Sequence, residues 1–493
     1  MIIHGDNLAA LKSLLPTYQG RVGCVYIDPP YNTGNEGWVY NDNVNSPLMQ
    51  DWLGRVVDRD DLTRHDKWCC MMLPRLKLLR ELLREDGAIF VSIDDNEAHH
   101  LRCLMDEVFG EANFVAAIVW HHRKSKQNDI GVSLGHNHIL WYAKDRNRFE
   151  FRALPVDESG FSNPDNDPRG PWTLDPMDAP NVRPNLTYEI VNPTTGKAYY
   201  PPSGRCWRFS EGKYDRALKR GRIVFGRTGR AKPYYKRFLD EARDKGRSVA
   251  TIWQDVGTAT SATKELNQIF GKKGVFATPK PTDLVRKIIL VSTDPHSIVL
   301  DSFAGSGTTG HAVLAQNRED GGSRRFILVE CEDYADAITA ERVKRVTKGV
   351  PSAKDDALKT GLGGKFSYFE LGRPMRQESL LDGSHLPSWE KLAGYIFFTA
   401  TGQEFDPSET DRDTGFVGRT ASHDVFLFYQ PDVDQLKNLA LSLAEARALP
   451  AGSRRRLVFA PTKYLDRDFL HQYRIDFQQL PFQIYEAIDR LER

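Results

Sequence analysis

VGCVYIDPPY, at residues 22–31, is the stretch that decides the fold of this chain. Its first six residues form an apolar run, which predicts a strand buried on both faces of a sheet. Asp28-Pro29-Pro30-Tyr31 follows directly, at the carboxyl end of that strand, where ligands of open α/β sheets bind. Proline fixes the backbone and donates no N–H, so nearby carbonyls stay free as acceptors. The four residues suit a planar ring with an exocyclic amine, although a strand-ending turn alone would also explain them.

A second motif, DSFAGSGTTG at residues 301–310, follows another apolar run. Gly305, Gly307 and Gly310 have the spacing G-x-G-x-x-G, which allows a tight turn and close backbone approach to a ligand. The next predicted strand, FILVE at residues 326–330, ends in Glu330, which is placed to accept hydrogen bonds from ribose hydroxyls. The motif alone fits a nicotinamide cofactor as well as S-adenosylmethionine. It does not fit a phosphate-binding P-loop, because no Lys-Ser or Lys-Thr follows the glycines.

Strands and helices alternate around these motifs. Beyond strand 21–27, we predict a helix at 74–83 ended by Asp86-Gly87, a strand at 88–93, a helix at 96–109, and strands at 114–120 and 137–143. The alternation predicts an α/β fold with a parallel, doubly wound, Rossmann-like sheet. Because carboxyl ends of parallel strands meet at one edge, we expect Asp6, Asp28, Asp94 and Asp301 to converge on one cleft. Asp94 is more simply explained as a cap of the following helix and is left out of the core site.

The sequence also predicts further domains. Ten prolines lie between Pro155 and Pro202, where helix and strand periodicity is weak. A polar linker at 348–365 precedes a separate apolar pattern, in which 395–398 and 425–429 are predicted strands of an α+β domain. We therefore expect four regions: one half of the sheet at 1–150, an inserted domain at 151–250, the other half at 251–350, and a C-terminal domain at 351–493.

The composition is that of a globular protein. The 493 residues are 40% hydrophobic and 27% charged, with a net charge of +1. No apolar run of 18 residues predicts a membrane span, and the N-terminal residues do not have the pattern of a signal peptide. Six scattered cysteines without C-x-x-C spacing predict a reduced, cytoplasmic protein with no metal site.

Two basic stretches are candidates for nucleic-acid contact. Residues 213–247 contain thirteen Lys or Arg against four Asp or Glu, with aromatic residues between them. Such a stretch suits phosphate contact and stacking, although a solvated helical face is the plainer interpretation. HHRKSK at 121–126 either lines a cleft or forms an ordinary polar loop. The candidate DNA-binding residues are Arg123, Lys124, Lys126, Arg220, Arg222, Arg227 and Arg230.

Together the motifs resemble the amino-methylating DNA methyltransferases. The tetrapeptide precedes the glycines, which is the motif order of the beta class, and the chain is most similar to the modification (Mod) subunits of type III restriction-modification systems. The matching blocks are GDNL at 5–8, DPPYNTGNE at 28–36, RHDKW at 64–68, MLPRLKL at 72–78, DGAIFVSIDDNE at 86–97, DEVFG at 106–110 and ATPKP at 277–281, with the glycine motif itself.

This resemblance implies a site-specific DNA methyltransferase that moves a methyl group from S-adenosylmethionine to adenine N6 of a flipped base. The implied catalytic residues are Asp28, Pro29, Pro30 and Tyr31. The implied cofactor-binding residues are Asp6, Asn7, Thr278, Lys280, Asp301, Phe303, Gly305, Gly307 and Glu330. Simpler interpretations are a helix N-cap for Asp6 and a surface charge for Lys280.

The resemblance further implies that the inserted domain recognises the target in double-stranded DNA. It also implies a homodimer and a separate restriction or defence subunit, although the chain is short for a type III modification subunit. Cytosine N4 methylation is the nearest alternative, because both bases present a similar amine edge. A non-catalytic DNA-binding subunit and a nicotinamide-dependent dehydrogenase are the remaining alternatives.

Overall fold

The computed structural model describes residues 1–33, 63–125, 131–372, 386–401, 403, 405–450, 452 and 454–480. The chain divides into two compact units: Met1–Phe151 together with Thr251–Arg493, and Arg152–Ala250. Within the described residues, no helix combines the length and apolar character needed to cross a bilayer.

The chain up to residue 150 forms the first part of a large sheet and the helices that cover it. The elements are β1 (Ile2–His4), α1 (Asn7–Tyr18), β2 (Val22–Ile27), α2 (Arg64–Leu82), β3 (Leu83–Ile93), α3 (Ala98–Phe109), β4 (Phe114–Trp120) and β5 (Asn137–Ala143). Every residue of β2 is buried, as its unbroken apolar run predicts. Helix α2 ends at Leu82 rather than at the predicted Asp86-Gly87, because Leu83 already pairs with Val22 at the start of β3.

The second unit, Arg152–Ala250, consists of short strands and two helices. Its elements are β6 (Trp172–Pro176), β7 (Asp178–Pro180), β8 (Ile190–Val191), β9 (Ala198–Tyr199), β10 (Arg205–Trp207), α4 (Glu211–Lys219), β11 (Ile223–Val224), β12 (Tyr234–Phe238) and α5 (Leu239–Lys245). Its core is small and includes Met177, Trp207 and Phe225. Lys236 is buried and pairs with Asp165 and Asp167, which compensates its charge in the interior.

After the inserted unit the chain returns to the large sheet. The elements are β13 (Ile252–Trp253), α6 (Ala259–Phe270), α7 (Thr282–Ser292), β14 (Ile298–Asp301), α8 (Thr308–Asp320), β15 (Arg325–Glu330), α9 (Glu341–Lys348), α10 (Asp356–Thr360) and β16 (Tyr368–Glu370). A π-helical turn, Asp336–Ala340, leads into α9. Such turns are rare and recur at functional sites.

The sheet order is β13-β4-β5-β3-β2-β14-β15-β1-β16. The predicted α/β doubly wound sheet is confirmed, and β2 and β14 lie side by side at its centre, with Leu300 opposite Val25. The two motifs, about 270 residues apart in the chain, therefore begin from neighbouring strand ends.

One strand departs from the predicted parallel arrangement. β5 runs antiparallel to both of its neighbours, β3 and β4. A parallel pairing of β4 with β5 would need a crossover, usually a helix, and the described part of the connection contains none. The sequence between 120 and 137 also has no helical periodicity, so this signal was present.

The C-terminal region forms a separate four-stranded sheet in the order β17-β18-β19-β20. Its elements are α11 (Trp389–Thr401), β17 (Phe416–Arg419), β18 (His423–Leu427), α12 (Val433–Asn438), α13 (Leu443–Ala448), β19 (Arg455–Ala460), α14 (Arg467–Gln472) and β20 (Ile475–Gln479). The strand predicted at 395–398 is wrong, because these residues lie inside helix α11. Their apolar run is one turn of a helix whose buried face includes Trp389, Ile396 and Phe397. A short apolar run alone does not distinguish the two structures.

Candidate active site

The predicted catalytic carboxylate lies just beyond the end of β2. Asp28 is partly buried, and its Oδ2 atom forms an ion pair with the ammonium group of Lys280. Its other oxygen, Oδ1, is buried and has no hydrogen-bond partner among the described residues. A buried acceptor without a donor is costly, so its presence indicates a site built to receive one.

Residues outside the tetrapeptide contact Pro30 and Tyr31. The Trp68 indole N–H, on α2, donates to the Pro30 carbonyl oxygen at 2.7 Å. The Lys280 ammonium lies 5.0 Å from the centre of the Tyr31 ring. Burial raises the pKa of the Tyr31 phenol, and the charge of the Asp28 carboxylate and its contact with the phenol raise that pKa further. The site thus presents an acceptor and an aromatic ring side by side.

The glycine motif forms a tight turn between β14 and α8. Gly305 and Gly307 have φ values of +49° and +78°. A Cβ atom added at Gly307 would lie 2.7 Å from the Thr339 carbonyl oxygen, in the π-helical turn. The Thr339 hydroxyl donates to the Gly305 carbonyl at 2.5 Å. The turn is therefore a close-fitting backbone cradle at the start of a helix, where an anionic or polar ligand group is favoured.

Two carboxylates flank this cradle. Asp301 is fully buried; it accepts hydrogen bonds from the Phe303 N–H at 3.0 Å and from the Thr309 hydroxyl at 2.5 Å. Burial raises its pKa to about 7, and the nearby Asp28 carboxylate contributes to the increase. Glu330, at the end of β15, accepts from the Gly305 N–H at 2.6 Å. Burial also raises the pKa of Glu330.

The N-terminal pair lies at the next strand end. His4 is opposite Glu330 in the register of β1 and β15, which places Asp6 and Asn7 beside it. Asp6 accepts a hydrogen bond from the Ala9 N–H at 2.8 Å, so it is the N-cap of α1, the simpler of the two predicted roles. Its second oxygen, Oδ2, pairs with the Arg75 guanidinium, whose Nη2 atom lies 3.6 Å away.

Asn7 is buried and bridges two motifs. Its side-chain amide donates to the Ser302 carbonyl at 3.2 Å and accepts from Arg75 at 2.5 Å. Phe303 packs on the main core. Thr278 is exposed, and the Lys280 ammonium pairs with the Asp28 carboxylate; the cofactor contacts expected of both residues stay predictions.

The candidate DNA-binding residues separate into two groups. Arg220, Arg227 and Arg230 are exposed. Arg222 instead pairs with Glu241, and its guanidinium lies 4.9 Å from the centre of the Phe238 ring. Both contacts of Arg222 lie within the inserted unit. Arg123 is half-buried and Lys124 exposed, next to His122, whose pKa is lowered by burial and by the nearby charges of Arg123 and Lys280. Lys126 lies outside the described residues.

Several site residues were not predicted from the sequence. Trp68 and Arg75 stand in the quoted blocks RHDKW and MLPRLKL, but their contacts are long-range. Arg342 is completely buried and donates to the hydroxyls of Ser306 and Thr308 at 3.0 and 2.8 Å, which anchors the glycine turn. An isolated arginine in an amphipathic helix carries no signal of such a role.

Phe276 and Tyr334 were also missed. Their rings form an edge-on pair with centres 5.4 Å apart, and the Phe276 ring lies beside Gly305. This pair offers an apolar wall beside Glu330 for the ring of a nucleoside. Aromatic residues in loops are too common for the sequence alone to assign them.

The fold and the paired motifs define an α/β protein that carries a glycine turn and the DPPY tetrapeptide at the ends of adjacent strands. The chain belongs to the DNA methylase family, whose N6_N4_Mtase model matches residues 22–341. This confirms the resemblance drawn from the sequence.

Individual relatives agree. The type III restriction-modification enzyme StyLTI Mod subunit of Salmonella typhimurium is 34% identical over 436 residues, 82% of this chain and 64% of that protein. The type II methyltransferase M.KpnI of Klebsiella pneumoniae is 35% identical over 350 residues, 66% of this chain and 79% of that protein. The EcoPI Mod subunit of Escherichia phage P1 is 32% identical over 418 residues, 73% of this chain. The chain spans 64% of the length of both Mod subunits.

Proposed function

We propose that this chain transfers a methyl group from S-adenosylmethionine to the N6 amine of adenine in double-stranded DNA, with the base turned out of its stack. The observation that carries the proposal is the buried, partnerless Oδ1 of Asp28 beside the glycine cradle. A base amine is a donor that such an oxygen can accept, and the amine is accessible only after the base leaves the helix.

The residues present fit the proposed methyl donor. Gly305 and Gly307 have no side chains, so a ligand can approach the backbone of this turn directly. The space beside Gly307 is too small for even a Cβ atom. Glu330 offers carboxylate lone pairs for ribose hydroxyls, and Phe276 and Tyr334 offer a wall for the adenine ring. Asp6 and Asp301 border the same strand ends. When bound, the donor supplies a methyl group on a sulfonium that is already activated for displacement.

The catalytic residues prepare the nucleophile. The lone pair of an adenine amine is delocalised into the ring, so the amine is a poor nucleophile. Hydrogen bonds from the amine to Asp28 Oδ1 and to the Pro29 carbonyl favour a tetrahedral nitrogen with its lone pair free. Tyr31 stacks on the base, an interaction worth about 1–3 kcal/mol.

Lys280 has a defined part in this scheme. Its ammonium pairs with Oδ2 of Asp28 and so leaves Oδ1 for the substrate amine. Alignment of amine, methyl group and sulfur in a protected site can lower the barrier by about 7–11 kcal/mol in favourable cases.

The DNA-binding surface is proposed on charge. In the inserted unit, Arg227 and Arg230 are exposed in the turn between β11 and β12. Buried Asn192 fixes this turn by donating to the Gly229 carbonyl at 3.1 Å. We expect the double change Arg227→Ala/Arg230→Ala to weaken DNA binding and reduce its salt dependence by up to about two phosphate contacts. Arg243→Ala is the matched control, because Arg243 is exposed but paired with Glu158; equal effects would contradict this surface.

A homodimer, a separate restriction subunit and a cytoplasmic location complete the proposal. They rest on the similarity to Mod subunits. Light scattering on the purified chain tests the dimer, and a monomer at micromolar concentration would contradict it.

The catalytic assignment is tested with Asp28→Ala. We expect loss of tritiated methyl transfer to DNA, with binding of S-adenosylmethionine by calorimetry retained. Asp86→Ala is the control, since Asp86 is an exposed carboxylate of the same sheet that pairs with Arg84. Near-normal transfer by Asp28→Ala would refute the assignment.

A further inference from the structure

Asn32, directly after the tetrapeptide, has an unusual backbone. It is completely buried and has a φ of +59°, in the left-handed region. Most residues other than glycine lose about 1–2 kcal/mol in this conformation, and asparagine adopts it more readily because its short amide can hydrogen-bond to nearby groups. Its side-chain amide donates to the Arg64 carbonyl at 3.2 Å and to Glu97 Oε1 at 2.5 Å.

Glu97 is the centre of this arrangement. Its side chain is fully buried at the start of α3. His65 Nδ1 lies 2.6 Å from Oε1, and His100 Nδ1 lies 2.9 Å from Oε2. A buried carboxylate is tolerated only when hydrogen-bonded, and here both oxygens have close partners. Glu97 therefore links α2, α3 and Asn32.

The same cluster has the composition of a metal site. Ligand atoms of His65, Glu97 and His100 all lie within 4.8 Å of one another. However, the Asn32 amide already reaches Oε1 at hydrogen-bond distance, so that oxygen is shared with a donor rather than turned towards a cation. The hydrogen-bonded arrangement accounts for all of these contacts.

We infer that Glu97 is a positioning residue for methyl transfer, an inference that rests on the proposed function. It holds Asn32 in the left-handed conformation and thereby sets the direction of the adjoining Tyr31 ring. Trp68, one turn along α2 from His65, fixes the Pro30 carbonyl. The blocks RHDKW and DGAIFVSIDDNE thus act together on DPPYN. A misplacement of about 1 Å in such a site costs on the order of 100-fold in rate.

The first test is Glu97→Gln, which preserves size but replaces one acceptor oxygen with an N–H₂ donor. We expect kcat to fall about 10–100-fold, the equivalent of losing one charged hydrogen bond. The Kd for S-adenosylmethionine should stay within about twofold, because Glu330 and Gly305 belong to other elements, β15 and the turn after β14. Equal losses in Kd and kcat would show general damage to the fold and overturn the inference.

The decisive test compares two changes at residue 32. Glycine adopts a φ of +59° without strain, whereas alanine does not. We expect Asn32→Ala to lose about as much kcat as Glu97→Gln, and Asn32→Gly to remain within a few-fold of the unaltered chain. Glu97→Gln added to Asn32→Gly should then cost little. A full loss in both backgrounds would show that Glu97 does not act through Asn32.

Two further outcomes separate this inference from a metal centre and from failure of the proposed function. Stoichiometric zinc in the purified chain, lost in Glu97→Gln, would make the cluster a metal centre and overturn the inference. All rates are ratios to the unaltered chain on the same DNA. If the unaltered chain transfers no methyl group, the proposed function fails and the inference fails with it; if it is active, the ratios judge the inference alone.

Discussion

Gly307→Ala is the change whose effect the structure predicts most fully. Gly307 has a φ of +78°, which costs an alanine about 1–2 kcal/mol. The new methyl group would also lie 2.7 Å from the Thr339 backbone oxygen. No side-chain rotation relieves that contact, so the turn must move by roughly half an ångström to restore normal separation. We expect S-adenosylmethionine binding to weaken at least about tenfold, which corresponds to about 1.4 kcal/mol.

Gly321→Ala is the matched control. Gly321 ends the same helix, α8, with a φ of +69°, but nothing lies within 4 Å of an added Cβ atom. Both variants should therefore lose conformational stability from the positive φ, and Gly307→Ala should lose more because of its contact with Thr339. Only Gly307→Ala should lose donor affinity. Calorimetric titration with S-adenosylmethionine, alongside thermal unfolding, measures both quantities. Donor affinity that is unchanged in Gly307→Ala, or reduced equally in both variants, would refute the cradle.

Three further changes have distinct expected results. Lys280→Met should lower kcat about 10–100-fold, because Asp28 loses a charged contact, and should leave the Kd for S-adenosylmethionine unchanged. Rapid-mixing and binding assays measure these two quantities. A weakened Kd would instead support the cofactor role predicted from the sequence. Trp68→Phe should destabilise the chain by about 1–3 kcal/mol in urea unfolding, because the Pro30 carbonyl loses its donor, and no change would show that this bond is unimportant. Asp301 has its pKa raised from 3.8 to about 7, so the folded state holds a proton that the unfolded state releases. Its stabilising contribution is therefore present below about pH 4 and is lost as pH rises to about 7, by up to about 4 kcal/mol. Asp301→Asn should flatten this part of the stability curve relative to the unaltered chain, and identical pH curves would contradict the assignment.

The central sheet was predictable because its signals are local. The runs ending at Asp28, Asp301 and Glu330 are uninterrupted apolar strands followed by motifs, and strand ends of an α/β sheet converge by geometry. The same logic failed at 395–398, where a short apolar run fits a helix as well as a strand. It also failed for β5, whose antiparallel direction follows from a connection without a helix.

The supporting contacts were beyond the sequence. The ion pair of Lys280 with Asp28 joins residues 252 positions apart. The hydrogen bond that Arg75 donates to the Asn7 side-chain oxygen depends on how α2 packs on the sheet. The ion pair of Arg222 with Glu241 was likewise beyond the sequence, and the contact of Arg222 with DNA stays a prediction. Composition gives the charge of a stretch, but only packing decides which charges remain exposed.

The most direct test of the central claim is the identity of the methylated base. Unmethylated genomic DNA is incubated with the purified chain and S-adenosylmethionine, digested to nucleosides and analysed by mass spectrometry, with Asp28→Ala in parallel. We expect N6-methyladenine from the unaltered chain and none from the variant. N4-methylcytosine would retain the cofactor site but overturn the choice of base. Absence of any methylated base, with donor binding intact, would contradict methyl transfer to DNA by this chain alone.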